Sequence, residues 1–336
     1  MENHSIKVKF NCMNCKNFTS FLLILVSINS FCQHTDVINS NRPSESQSAF
    51  AVGKNVIQVE SGLNYIKDKH TLLEYESKGI FIDFTARYGF IFEQMEAIAE
   101  ISYQSDKYQL EQNEPYKRSG MRSMNMGLKY LFYDPYKNVK EEVNLYSWKA
   151  NHKFKWSQFK PAISAYAGAN LNFSNPFLLR DEKPSYISPK VMLVTQNVFG
   201  KGLVLITNTF MDKITTEYKQ FGYIITLTKG LNDNWSVYFE NKGIKSTYYS
   251  DGIFSAGGAY LMNKNFQIDF TVSKNFKDTP SLFYGGFGLS WRSDTNYKEV
   301  KIQVEKEKSK MDKKVEKESK KNSKKKRVDE IKVEKP

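Results

Sequence analysis

Residues 55–65 read NVIQVESGLNY, and their side chains alternate: Ile57, Val59, Leu63 and Tyr65 share one face, while Gln58, Glu60, Gly62 and Asn64 share the other. A strand projects successive side chains to opposite faces, so a strict period of two predicts a strand that is apolar on one side and polar on the other. The same pattern continues along the chain. Ile82, Phe84, Ala86 and Tyr88 oppose Asp83, Thr85, Arg87 and Gly89, and Ala97, Ala99, Ile101 and Tyr103 oppose Glu100, Ser102 and Gln104. Met124, Met126, Leu128, Tyr130 and Phe132 oppose Asn125, Gly127 and Lys129. Further on, Trp235, Val237 and Phe239 oppose Ser236, Tyr238 and Glu240, and Ile268, Phe270 and Val272 oppose Gln267, Asp269 and Thr271. Phe287, Leu289 and Trp291 oppose Gly286, Gly288, Ser290 and Arg292 at the end of the series. About twelve such segments lie between residues 55 and 292, many near the roughly nine to eleven residues a tilted membrane strand needs. No stretch with helical periodicity competes with them.

Alternation alone does not say which face points inward. Three features favour a transmembrane antiparallel up-and-down barrel over a soluble one. Charge recurs on the polar face among glycines, at Glu60, Asp83, Arg87, Glu100, Lys129, Glu240, Asp269 and Arg292. The apolar faces finish in aromatics near strand ends, as at Tyr65, Tyr88, Tyr103, Trp235 and Trp291, which fits interfacial girdles. The connections also alternate in length: 90–94, 200–202, 230–234 and 261–265 are expected to be short periplasmic turns, whereas 66–79, 105–120, 173–189, 212–219, 242–253 and 275–282 are mostly longer. Residues 134–160 break the rule and are expected to be an inserted periplasmic element, unless the strand count is wrong there.

Composition agrees. The 336 residues are 40% hydrophobic and 14% aromatic, with 20 Tyr and 24 Phe. A mean hydropathy of −0.55 excludes a polytopic helical membrane protein. The net charge of +13 suggests nucleic acid until its placement is considered: residues 298–336 hold 16 Lys/Arg and 9 Asp/Glu, more than half of the excess. The uninterrupted apolar stretch is FTSFLLILVSINSF, residues 18–31, too short to span a bilayer and placed like a signal peptide. Translation from Met13 would give that signal a more ordinary start. Cys12, Cys15 and Cys32 all lie within the expected signal peptide, residues 1–32, so the CxxC at Cys12 has no second pair to complete a metal site, and bulky Phe31 makes Cys32 a poor lipoprotein cysteine. The expected organisation is a signal peptide over 1–32, an N-terminal periplasmic leader or lumen plug over 33–54, the barrel over 55–292, and a disordered or loosely helical Lys/Glu-rich periplasmic tail over 293–336.

The leader and first strand resemble a known family. Asn41-Arg42-Pro43-Ser44-Glu45-Ser46, then Ala51-Val52-Gly53-Lys54 and Gln58-Val59-Glu60-Ser61-Gly62, are similar to the opening of the outer-membrane "MetA-pathway of phenol degradation" transporter-like proteins. Phe239-Glu240, Gln267-Ile268-Asp269 and the closing Gly286-Phe287-Gly288-Leu289-Ser290-Trp291-Arg292 fit as well, so the resemblance covers roughly residues 40 to 292. Gly53-Lys54 stands in reversed order, Asn41 replaces the usual Asp, and the tail and residues 134–160 depart from the pattern. The resemblance implies a barrel that passes aromatic or other small hydrophobic compounds, without naming one.

Catalysis finds little support. His4, His34, His70 and His152 fall on no clear strand beside a Ser or an acid, and a nucleophile needs its base within hydrogen-bond reach. No enzymatic activity, cofactor or metal is therefore expected. The permeation or gating candidates are Arg42, Glu60, Asp83, Arg87, Glu100, Lys129, Glu240, Gln267, Asp269 and Arg292. Two arrangements are open to these charges: lining a solute path, or pairing across the lumen and closing it, since unpaired charge in a narrow interior is costly. Arg42 would either join those acids inside the lumen or belong to a strand-docking turn. Residues 190–210, apolar on both faces, would be an interior hydrophobic patch or a contact with the leader. The expected partners are outer-membrane lipid and an unidentified small solute, but not nucleic acid. The tail would be solvated, or would touch cell-wall polymer. The expected function is an outer-membrane channel or transporter; the alternative is a sealed structural or adhesive barrel that binds partners through loops or tail.

Overall fold

The computed structural model describes residues 37–110, 113–136, 159–172, 175–177, 185–199, 202–247 and 249–293. The expected signal peptide, the expected tail beyond Ser293 and most of residues 134–160 lie outside them. Twelve strands follow in chain order: β1 Ile57–His70, β2 Tyr75–Gly89, β3 Met95–Leu110, β4 Tyr116–Tyr133, β5 Ala162–Leu171, β6 Ile187–Phe199, β7 Leu203–Asp212, β8 Gln220–Gly230, β9 Trp235–Ser246, β10 Ser250–Asn263, β11 Phe266–Asn275 and β12 Ser281–Ser293. Each pairs antiparallel with its sequence neighbours, and β1 pairs with β12 to close the barrel. Closure leaves no open sheet edge, which a strand structure in lipid requires.

Burial shows which face is which. Phe287 is 76% exposed, whereas Arg87, Lys129, Glu96 and Glu240 are 0% exposed. Ile57, Leu63 and Tyr65 of β1, Ile80, Ile82, Phe84 and Tyr88 of β2, Phe221, Tyr223, Ile225 and Leu227 of β8, and Leu289 and Trp291 of β12 all face outward. A water-soluble barrel would bury these side chains; here they form the belt that meets lipid. One inner wall is nevertheless apolar. Ile98, Leu131, Ala162, Tyr166, Met192, Val194, Phe210 and Ile224 cluster on the inward faces of β3–β8, and Ala49 of the leader packs among them. The double-sided apolarity of β6 and β7 thus has one face toward lipid and the other on this interior patch and the leader.

Three of the six long connections expected from the sequence, 66–79, 105–120 and 242–253, are largely paired strand. β1 and β2 remain in register out to His70 opposite Tyr75, so residues 71–74 form the whole turn where 66–79 was expected as a loop. β3 and β4 pair out to Tyr108 opposite Tyr116, and β9 and β10 to Lys245 opposite Ser250. These extensions keep the period of two but carry charge on the outward face, because they stand beyond the apolar belt. Their own contacts hold them: Tyr75 stacks on Tyr108 at 5.2 Å, Arg118 lies 4.1 Å over the Tyr108 ring, and Arg118 pairs with Asp106 at 2.7 Å.

Val37 and Ser293, the first and last described residues, lie at one rim, called near, and the extended hairpins lie at the other, called far. If the near rim is periplasmic, a cysteine replacing Asn113 in the β3–β4 turn is labelled by a membrane-impermeant maleimide on intact cells. One replacing Asp233 in the β8–β9 turn is labelled only after permeabilisation, and the reverse result would invert the orientation.

Candidate functional site

The lumen holds the leader. Residues 37–55 have no regular secondary structure and enter at the near rim, where Ile38 N–H donates to Lys264 O at 2.8 Å and Arg292 Nη1 donates to Val37 O at 3.1 Å. The segment climbs to mid-lumen, turns over 41–46 and descends to the near rim. It joins β1 through a turn with Gly53 at φ 94° and Asn55 N–H donating to Gly89 O at 2.8 Å. Only glycine adopts that φ without strain from a β-carbon.

Arg42 occupies the apex. Strand register aligns Asp83 of β2, Gly62 of β1, Gly288 of β12 and Asp269 of β11 in one row across four strands. The guanidinium lies over the two glycines and between the two carboxylates. Nη2 meets Asp269 Oδ1 at 3.2 Å, and Nη1 makes a short contact with Asp83 Oδ2. A β-carbon on either glycine would collide with the guanidinium itself, so the glycines make the seat. The backbone N–H groups of Asn41 and Arg42 donate to Glu60 at 3.3 and 3.2 Å, and Gln267 Nε2 donates to Arg42 O at 3.1 Å. Burial works against the Arg42 charge, but Asp269, Asp83 and Glu60 more than offset it and hold the group above its ordinary pKa.

The descending limb is gripped in the same way. Glu45 N–H donates to both Glu240 carboxylate oxygens at 3.2 Å, and the Glu45 carboxylate reaches Lys242 at 2.6 Å and accepts from the Tyr284 hydroxyl at 2.5 Å. Gln47 donates to Glu100 at 3.0 Å, while the Ser48 hydroxyl and the Ala49 N–H both donate to Gln196 at 2.9 Å. Lys129 Nζ donates to Ser48 O and Phe50 O at 2.6 and 3.1 Å, and Arg87 donates to Asn39 O and Phe50 O at 2.8 and 3.3 Å. Arg87 and Lys129 converge on Glu96 at 3.0 and 2.6 Å, and Glu96 also accepts from Val52 N–H at 2.9 Å.

Arg42 sits in the leader, and each of the other nine candidate side chains makes at least one hydrogen bond to it. Glu96 and Gln196 were missed. Glu96 has the inward parity of Glu100 but precedes the first apolar residue of its alternation, and Gln196 lies in a segment apolar on both faces. Above the leader is a cavity of about 520 Å³ and below it one of about 190 Å³; Asn41, Arg42, Pro43 and Ser44 line both. The leader therefore divides the lumen.

Two outcomes test this grip. Cysteines replacing Ser40 and Ser290, whose hydroxyls lie 2.7 Å apart, should cross-link on oxidation, and adding Gly62→Ala should lower the yield at least several-fold in a barrel that still folds. An unchanged yield would mean that the guanidinium seat does not hold the leader. Glu96→Ala removes the carboxylate that Lys129 contacts and leaves Arg87 with Glu60 alone, at 3.5 Å, and should cost about 3–5 kcal/mol, read as an earlier denaturation midpoint in urea.

Residues 40–293 match the family described as "Putative MetA-pathway of phenol degradation". No curated protein matches the chain. Among solved structures, an outer-membrane channel from Pseudomonas putida F1 is 7% identical, with 74% of this chain and 100% of that chain covered at a TM-score of 0.48. The translocator domain of the autotransporter NalP from Neisseria meningitidis is 9% identical, with 72% and 89% covered and a TM-score of 0.42. The KdgM porin in complex with disordered oligogalacturonate is 11% identical, with 68% and 98% covered and a TM-score of 0.37. The family match takes in the apex of the leader and all twelve strands, and the chain belongs to the MetA-pathway of phenol degradation family.

Proposed function

We propose that this protein is an outer-membrane channel for small solutes, held shut by its own leader. The observation that carries this is the placement of Arg42 at the apex of a segment that separates two lumen cavities. The leader is bound by hydrogen bonds and ion pairs rather than by strand pairing, so it can leave without breaking the barrel's own ladder. The larger cavity supports a solute with both apolar and polar parts. Phe81, Met192, Phe210, Ile224, Tyr238 and Ile253 line it alongside Asp83, Glu100, Glu240, Arg122, Lys190 and Lys242. A small aromatic carrying a polar group matches such a lining.

A charge-assisted hydrogen bond of the Arg42 kind contributes about 1.5–3 kcal/mol, equivalent to roughly a ten- to hundredfold shift between closed and open states. In planar bilayers, Arg42→Ala should raise the open fraction by that order. Deleting residues 39–48 should raise conductance further, while heat-modifiable gel mobility shows that both barrels are folded. Unchanged conductance in both folded variants would favour the sealed structural barrel, whose leader is permanent packing.

A further inference from the structure

Outside the lumen, the far rim carries charge in a register that the channel does not use. Lys67 of β1 stands directly opposite Lys78 of β2, Lys78 opposite Lys107 of β3, and Lys107 opposite Lys117 of β4. In the other direction Lys67 pairs with Phe283 of β12, and Phe283 with Lys274 of β11. One register row over six consecutive strands thus holds five lysines and a phenylalanine. All face outward: Lys78, Lys107, Lys117 and Lys274 are exposed, and the Lys67 side chain is 44% exposed. Neighbouring strands lie about 4.8 Å apart, so Lys67 to Lys117 spans roughly 14 Å.

Charge in these hairpins is sorted by face. Asp68 and Asp106 point inward, Asp68 accepting from Tyr75 and Asp106 from Ser77, Gln104 and Arg118. On the outward face of the paired extensions of β1–β4, Glu76 is the acid among the described residues, and Lys67 and Lys78 share it at 3.4 and 3.0 Å. Like charges directly opposite each other destabilise a sheet, and one glutamate does not neutralise the row. The row begins where the belt ends, one outward position beyond Tyr65, at the level of lipid headgroups.

We propose that this row binds the phosphates of a bisphosphorylated glycolipid in the leaflet around the far rim. Charge complementarity requires an anion. The length of the row suits more than one phosphate on a single headgroup. The outward apolar side chains beneath it, Ile80, Ile82 and Tyr103, together with Phe283 in the row itself, offer a surface for acyl chains. The proposal rests on the membrane-barrel reading but not on the lumen being open, because its site lies wholly on the outer wall.

The test uses the full folded protein, delipidated in detergent micelles and titrated with bisphosphoryl lipid A. The probes for comparison are monophosphoryl lipid A, phosphatidylglycerol and inorganic phosphate. Bisphosphoryl lipid A should raise the temperature at which the folded gel band is lost, and monophosphoryl lipid A should do so less. Replacing Lys67, Lys78, Lys107 and Lys117 together by Gln should weaken that response on the order of a hundredfold. The same four changed to Arg should retain it, as should Lys54→Gln/Lys264→Gln at the opposite rim. If the fourfold Gln variant does not fold, the paired variants Lys67→Gln/Lys78→Gln and Lys107→Gln/Lys117→Gln each carry the comparison. An equal response of these variants and the parent protein overturns the proposal, and so does phosphatidylglycerol or inorganic phosphate matching the glycolipid.

Discussion

A backbone that crosses a barrel lumen without secondary structure has to give its N–H and C=O groups to side chains of the wall, and much of this interior follows from that constraint. Each buried group left unpaired costs about 1–3 kcal/mol, so the wall needs acceptors where the leader offers N–H and donors where it offers C=O. Glu60, Glu96, Gln196 and Glu240 accept from leader N–H groups, while Arg87, Lys129, Asn208, Gln267 and Arg292 donate to leader carbonyls. Signs of charge that look scattered along the strands are ordered once the path of the leader is drawn through them. Carboxylates and guanidinium or ammonium groups then serve one another as counter-ions, as Glu96 does for Arg87 and Lys129.

The barrel was legible in the sequence because its signal is local. A period of two over ten residues needs no tertiary information, and twelve repeats of it leave few alternatives. The inward residues were legible for the same reason, since Glu60, Asp83, Arg87 and Lys129 each hold the polar parity of a strong alternation. What they touch was not legible. The row Asp83, Gly62, Gly288, Asp269 joins residues more than two hundred positions apart and exists only after the last strand has found the first. Glu96 and Gln196 were hidden by context, one by standing before the alternation that begins at Ala97 and the other by apolar neighbours on both faces. The extended hairpins were hidden by chemistry. Once a strand leaves the bilayer its outward positions turn charged, and hydropathy no longer separates paired strand from loop.

The interior is polar on one side and apolar on the other. The leader rests between them, with Ala49 and Phe50 against the apolar cluster and Arg42 against the acids opposite. Such a lumen presents both kinds of surface at one level, unlike a uniformly wet pore. It also means that withdrawal of the leader exposes an apolar wall and unpaired carboxylates together, and both favour its return.

Arg42 also sits where the cylinder closes. β1 and β12 are the first and last strands, and Asp83 and Asp269 stand on the strands that flank them. The two ends of the open sheet each bring one carboxylate toward the same point. Without a cation there, rolling the sheet into a cylinder sets two negative charges facing each other across a pair of glycines. With the leader already folded inward, the same step completes a triplet of opposite charges. The segment that obstructs the finished lumen is then the keystone around which the cylinder shuts, and a barrel that has lost it holds its seam by the β1–β12 ladder and by contacts such as Phe81 against Tyr284.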